Sequence, residues 1–381
     1  MLFFHKKDHK VGTQLSKTNT LKSEGYIILD HISTGGYGEV HHAKYIQDDK
    51  ELNLVVKIID TNLSSKEYVS KFLPRELDVI RKINHPYIVH THSILQKKAI
   101  LFVFMTYAEK GDLFDYITTN GPIKEDQARI WFRQVALAVQ YLHTVDIVHR
   151  DIKCENILIT KNFTVKLSDF SFSKFIKRAQ RLNCNTHCCS VWYAPPEVLS
   201  LRPYDGKSSD IWSLGVVLYI MIYAKMPFSK NDTKRMYQQQ VKREWCHHPS
   251  IGNLISENLK TCVDNILQPE PRKRWVINNI LESDWITMNL GLVKMNEQES
   301  MALIEAQNLH KLDNQKHLKK IEAKRSGTQQ ILNKQLPRFF SEVQKMELKS
   351  NMSKKYSKGV LKRPSHYSIS HLLETTNLMK R

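Results

Sequence analysis

His149-Arg150-Asp151-Ile152-Lys153-Cys154-Glu155-Asn156 reads H-R-D-x-K-x-x-N, and Asp169-Phe170 follows thirteen residues after Asn156. In order, the stretch offers a carboxylate that can accept a proton, a lysine that can pair with a phosphate, and two oxygen ligands for a hard cation. These are the parts needed to move a phosphoryl group onto a hydroxyl. A lone H-R-D triplet carries little information, but this full spacing does.

The chain has 381 residues, 41% of them hydrophobic, enough for two ordinary domains or one large two-lobed domain with tails. Its net charge of +19 implies acidic or phosphorylated partners without selecting among them. About half of that excess falls after residue 286. The lysines there lack the interleaved aromatics of single-strand nucleic-acid binders, so a solvated tail is expected and nucleic acid is not. The six cysteines follow no disulfide framework. Cys184, His187, Cys188 and Cys189 cluster without a usual zinc spacing, and reduced thiols in a cytoplasmic or nuclear protein are the plainer reading. The longest apolar run, Leu214 to Ala224, is about half of a membrane span and reads as a buried helix.

Residues 1–24 are basic and read as disordered. Strand-like runs follow at Tyr26 to Asp30, Val40 to Tyr45, Leu52 to Asp60 and Ala99 to Met105, with a helical pattern from Glu67 to Ile83. After Gly111 helical periodicity dominates: Leu113 to Thr118, Lys124 to His143, Lys207 to Tyr223 and Thr233 to Lys242. The globular pattern stops near Trp285-Ile286. In the basic tail, 287–381, Met301 to Ile321 carries a weak apolar stripe (Ile304, Leu309, Leu312), and 338–348 a better one.

The catalytic-loop spacing, with Lys71-Phe72-Leu73-Pro74-Arg75-Glu76-Leu77, Asn84-His85-Pro86-Tyr87 and Asp169-Phe170-Ser171-Phe172-Ser173, resembles the eukaryotic serine/threonine protein kinases, in particular the testis-specific family. The resemblance covers about residues 25–286. It implies an α+β bilobal fold: a β-rich lobe over 25–105, a hinge over 106–110 and a helical lobe over 111–286. It also implies ATP and Mg2+, protein substrates, an upstream activating kinase, a monomer and a role in male germ cells.

Residue by residue, Ile32, Ser33, Gly35, Gly36, Gly38 and Val40 match the glycine-rich phosphate loop. Lys57 matches the phosphate-gripping lysine and Glu76 its partner. Val55, Thr106, Ala108 and Leu158 line the adenine pocket, with Met105 guarding its rear. Asp151 and Lys153 are the catalytic pair, and Asn156 and Asp169 the metal ligands. Thr186 matches the activation-loop threonine, with Arg150 to bind its phosphate. Ser190 contacts Asp151 and Lys153. Asp112 and Glu155 match acidic positions that select an upstream arginine. Glu197 pairs with Arg274 as a buried structural ion pair, and Asp210 braces the catalytic loop.

The pattern breaks at Ser33 and Ser171, which replace glycines, at Val55, which replaces a small residue, and at Pro195 and Cys189. Ser171 is expected to cost about 1 kcal/mol wherever a positive φ is needed. An inert scaffold that binds partners through its basic tail is the competing reading. The charged set Lys57, Glu76, Asp151, Asn156 and Asp169 favours an active enzyme.

Overall fold

In Leu54-Val55-Val56-Lys57-Ile58-Ile59 the side chains of Leu54 and Val56 are buried on one face of the pleat, while Lys57 stands on the other, the face it shares with Ile59, which packs against Tyr68 and Leu73. That alternation turns one face of a sheet toward a core and the other toward a cleft. The coordinates are a computed structural model. It describes residues 21–315 except Tyr37, Asp49, 177–181, Asn183, 185–189, 230–231, 246–254 and 313.

Strands β1 (Tyr26–Gly35), β2 (Gly38–Gln47), β3 (Lys50–Asp60), β4 (Thr91–Lys97) and β5 (Ile100–Thr106) form an antiparallel sheet in the order β1-β2-β3-β5-β4. Lys57 lies opposite Val40 on β2 and Val103 on β5, and Val55 lies opposite Met105. The core under the sheet is Tyr26, Ala43, Leu54, Val56, Phe102 and Phe104, with Tyr26 stacked on Phe104 at 4.0 Å. Leu21 is fully buried in this core, and Glu24 pairs with Lys97. The expected disordered extension over 1–24 is therefore corrected at its end. Burying Leu21 contributes about 1.5–3 kcal/mol toward holding this turn of chain.

The helical pattern at Glu67 to Ile83 becomes two pieces: a π-turn over Tyr68–Phe72 and helix α1 (Leu73–Ile80) with Pro74 in its first turn. Proline fits there because the first N–H groups of a helix have no internal partner.

Below the sheet come α2 (Leu113–Asn120), α3 (Glu125–Thr144), the short strands β6 (Ile147–Val148), β7 (Ile157–Ile159), β8 (Val165–Leu167) and β9 (Lys174–Phe175), and then α4 (Pro196–Leu199), α5 (Gly206–Tyr223), α6 (Thr233–Val241), α7 (Glu257–Ile266), α8 (Ile277–Leu281) and α9 (Asp284–Thr287). Side-chain oxygens of Asp112, Asp205, Asp232 and Ser256 accept the first free N–H groups of α2, α5, α6 and α7. From Leu214 onward helix α5 is apolar on every side, and the helix is buried almost throughout, as that run requires. A Cβ at Gly215 on α5 would lie 2.5 Å from Ile266 and 2.8 Å from Leu267, so glycine sets how closely α5 approaches the end of α7. Among the described residues, no helix is long and apolar enough to cross a membrane.

Beyond the boundary expected at Ile286, a helix lies where the weak stripe from Met301 to Ile321 suggested one, but it begins earlier. Residues 297–312 form a helix on the large lobe, and Ala302 and Ala306 belong to its core. The buried Glu299 carboxylate accepts from Arg133 of α3 at 2.9 and 3.1 Å and from the Tyr87 hydroxyl at 2.5 Å. Burial alone would raise the Glu299 pKa, but bonds from Arg133 and Tyr87 carry it below the usual carboxylate range. Next to it, burial pushes His85 down to about 3, and its neutral ring accepts the Tyr87 N–H at 3.2 Å. The stripe Ile304, Leu309 and Leu312 is exposed, so the helix packs through small residues and one carboxylate. One compact unit runs through Leu312, and a second covers 313–381, of which Asn314 and Gln315 are described. The helical segment expected over 338–348 lies outside the described residues.

Candidate active site

The hairpin between β1 and β2 closes with Gly35 opposite Gly38. A Cβ on Gly38 would come 2.4 Å from the Ile58 carbonyl oxygen, so only glycine lets the hairpin lie this close to β3. Ser33 is paired with Val40 inside β1 and has no positive φ, so its departure from glycine causes no backbone strain. Ile32 and Ser33 are exposed on the same hairpin.

On β3, Lys57 Nζ donates to Glu76 Oε1 at 2.7 Å, bringing strand and helix α1 together. The second oxygen, Glu76 Oε2, accepts from the buried Tyr68 hydroxyl at 2.9 Å. Tyr68 was not singled out in the sequence. A tyrosine eight residues before a glutamate stands about 12 Å from it along a regular helix axis, beyond the pairs three and four apart that touch, and here a π-turn lies between them. Lys57 Nζ also lies 3.9 Å from Asp169 Oδ1. At the end of β5, Thr106 donates its N–H to the His90 carbonyl at 3.0 Å, and Ala108 is buried at the turn into the large lobe. Leu158 bridges to Asp112.

The catalytic-loop residues converge on Asp151. Ser190 donates to its Oδ1 through the hydroxyl at 2.9 Å and the backbone N–H at 3.1 Å. Lys153 Nζ stands 2.9 Å from Oδ2, and Asn156 Nδ2 donates to the same oxygen at 3.1 Å and to the Asp151 carbonyl at 2.8 Å. Desolvation works against the Lys153 ammonium, but the Asp151 carboxylate beside it raises its pKa on balance. Lys153 also donates to Ser190 Oγ at 3.2 Å.

Asp210 holds this loop from below. Its carboxylate accepts the backbone N–H groups of His149 at 2.9 Å and Arg150 at 2.8 Å, and its Oδ2 lies 2.9 Å from His143 Nε2. Arg150 has φ +66°, a conformation that costs about 1–3 kcal/mol and persists only where neighbours enforce it. His149 is fully buried against the Ser168 carbonyl, which suits a structural part. Arg150 Nε donates to the Phe172 carbonyl at 2.7 Å. Thr186 and Cys189 lie outside the described residues, as do His187 and Cys188.

Asp169 has φ +58°, whereas Ser171 has no positive φ. The strain expected at Ser171 is therefore absent here, because the left-handed residue is the aspartate. Burial raises the Asp169 pKa, but Lys57 and the hydrogen bonds from Ser171 outweigh it, so the group stays ionised. Its described bonds fall on Oδ1, and the side chain is 40% exposed. An ionised carboxylate with an open oxygen and the Asn156 carboxamide fit a hard divalent cation.

Asp112 caps α2 by accepting the Asp115 N–H at 2.9 Å, and Glu155 accepts the Tyr193 hydroxyl at 3.1 Å. Both acids are partly exposed. Burial and the charges of Asp115 and Glu155 raise the Asp112 pKa. Arg274, whose side chain is fully buried, grips Glu197 with two bonds of 2.7 and 3.0 Å. Pro195 precedes α4 with an ordinary φ of −75°.

A glycine hairpin, a paired strand lysine and a braced carboxylate between a small sheet lobe and a helical lobe define a phosphotransferase of the bilobal class. The protein kinase domain family matches residues 26–286, and the chain belongs to that family. It is similar to testis-specific serine/threonine-protein kinase 2 of Mus musculus, 40% identical over 270 residues covering 70% of this chain and 74% of that one. It is also similar to testis-specific serine/threonine-protein kinase 3 of Homo sapiens, 35% identical over 268 residues covering 70% and 97%. The chain is a serine/threonine protein kinase related to the testis-specific kinases.

Proposed function

We propose that the enzyme is catalytically competent, transfers the γ-phosphoryl group of ATP to serine or threonine hydroxyls that follow an upstream arginine, and acts in male germ cells, in the cytoplasm or nucleus. The observation that carries competence is the Lys57–Glu76 pair at 2.7 Å, with Asp169 Oδ1 3.9 Å from the same lysine. Phosphoryl transfer needs positioning more than strong basicity. Asp151 orients the substrate hydroxyl and takes its proton as the oxygen bonds to the γ-phosphorus. The bond from that phosphorus to the β-phosphate oxygen breaks, and ADP leaves. Lys153 neutralises charge on the group in transit. Lys57 holds the phosphates, and the glycine hairpin covers them with backbone N–H groups. Asn156 and Asp169 would hold Mg2+, which supplies neutralisation of phosphate charge. Asp112 and Glu155, two acids beside the catalytic loop, support the preference for an upstream arginine. The germ-cell role rests on the testis-specific relatives.

The test is transfer from Mg-ATP to an Arg-x-x-Ser peptide by wild type and Asp151→Asn. Competence predicts a fall of about 10²–10⁴-fold in the variant. No transfer by wild type, with Thr186 phosphorylated, would favour the inert scaffold. Equal use of a peptide lacking the arginine would remove the substrate preference alone.

A further inference from the structure

Ser171 is 2% exposed and stands two residues after Asp169. Its hydroxyl donates to Asp169 Oδ1 at 2.6 Å and accepts from Lys57 Nζ at 3.3 Å. Its backbone N–H, which a glycine would share, reaches the same oxygen at the longer distance of 3.3 Å. Lys57 itself stands 3.9 Å from Oδ1, beyond direct hydrogen-bond reach, so the hydroxyl bridges the two charges. A serine hydroxyl has one proton to give and lone pairs to receive, and both are used in the favourable sense here.

The line continues outward. Tyr68 donates to Glu76, Lys57 donates to Glu76 and to Ser171, and Ser171 donates to Asp169. Donors and acceptors alternate along it without conflict, and it joins the π-turn, α1, β3 and the segment after β8. Asp169 is the one member in a left-handed backbone conformation.

We infer that Ser171 is a positioning residue whose hydroxyl fixes the Asp169 carboxylate by occupying Oδ1 and presenting Oδ2 to the cation. What looks like a defect in the sequence supplies a bond that glycine cannot make. The inference rests on the kinase reading for the identity of Asp169 as a metal ligand, and its test does not require phosphoryl transfer.

The full-length protein is melted at fixed ADP while Mg2+ is titrated, for wild type, Ser171→Ala and Ser171→Gly. The alanine variant keeps the Cβ and removes only the oxygen. Loss of a hydrogen bond to a charged group predicts that half-maximal stabilisation needs about tenfold more Mg2+ in both variants. In the peptide assay kcat should fall while the KM for peptide is unchanged, a split that general loosening would not give. An alanine variant that titrates within about twofold of wild type overturns the inference, including the case where only the glycine variant shifts. That last pattern would assign the effect to backbone stiffness. A wild-type protein that responds to Mg-ADP but transfers no phosphate sinks competence and leaves this comparison valid. One that does not respond to Mg2+ at all overturns both.

Discussion

Glu76 has both carboxylate oxygens engaged, by Lys57 on one side and Tyr68 on the other. A buried carboxylate that loses one such partner forfeits about 1–3 kcal/mol of hydrogen bonding. Tyr68→Phe should therefore release α1 to swing, and peptide phosphorylation should fall about fivefold or more. Unchanged kcat and KM in that variant would mean that Lys57 alone fixes the helix. The contrast between these partners explains what was legible at this scale. Lys57, Asp151, Asn156 and Asp169 are readable because their chemistry dictates residue type and spacing together. Tyr68 is not, since its reach depends on a π-turn that no side-chain pattern announces. Ser171 was visible as a departure, but its hydroxyl bond requires the left-handed Asp169, a property of the fold.

At the level of elements, the helix over 297–312 departs furthest from the reading of the sequence. Apolar periodicity put Ile304, Leu309 and Leu312 on its packed face, yet the packed residues are Glu299, Ala302 and Ala306. A hydrophobic pattern cannot reveal a face made of alanines and a carboxylate whose partners lie 166 and 212 residues away. Glu299→Ala would leave the Arg133 guanidinium buried and unpaired, at a cost of about 3–5 kcal/mol. Replacing both by apolar residues, Arg133→Met with Glu299→Leu, should recover most of that. Denaturant melts of the two variants check this, and equal losses would mean that packing outweighs the charges. The Glu299 pKa is depressed in the folded state, so its stabilisation is full above the unfolded value near 4.5 and is lost as pH falls through the lower folded value. Acid unfolding of Glu299→Gln should accordingly be less steep than wild type below about pH 4.5. Elements that announce themselves, such as α5 with its unbroken apolar run, appear where the sequence put them. The strand β4 and helix α7 were missed, because Thr91–Lys97 mixes polar residues into its alternation and Glu257–Ile266 has only a short apolar stripe.

Across the whole molecule, the two-lobed order of sheet before helices was readable from the change in periodicity near Gly111, but the limits of the folded unit were not. Both of its ends are fixed by a few long-range contacts: Leu21 in the small-lobe core, and Glu299 against Arg133 and Tyr87. A chain ending at Ile286 should therefore melt about 10 °C below one ending at Gln315, taking 3–5 kcal/mol at roughly 2–4 °C per kcal/mol. Coincident melts would show that the last helix adds nothing to stability. The contact also bears on the order in which the protein is made. Chains are synthesised from the N-terminus, and domains fold as they emerge. Arg133 and Tyr87 leave the ribosome well before Glu299 and must wait for it. The turn behind α1, which carries half of the Lys57–Glu76 pair, is thus finished only after every catalytic residue is already in place, so maturation of this enzyme ends on a segment outside its catalytic core.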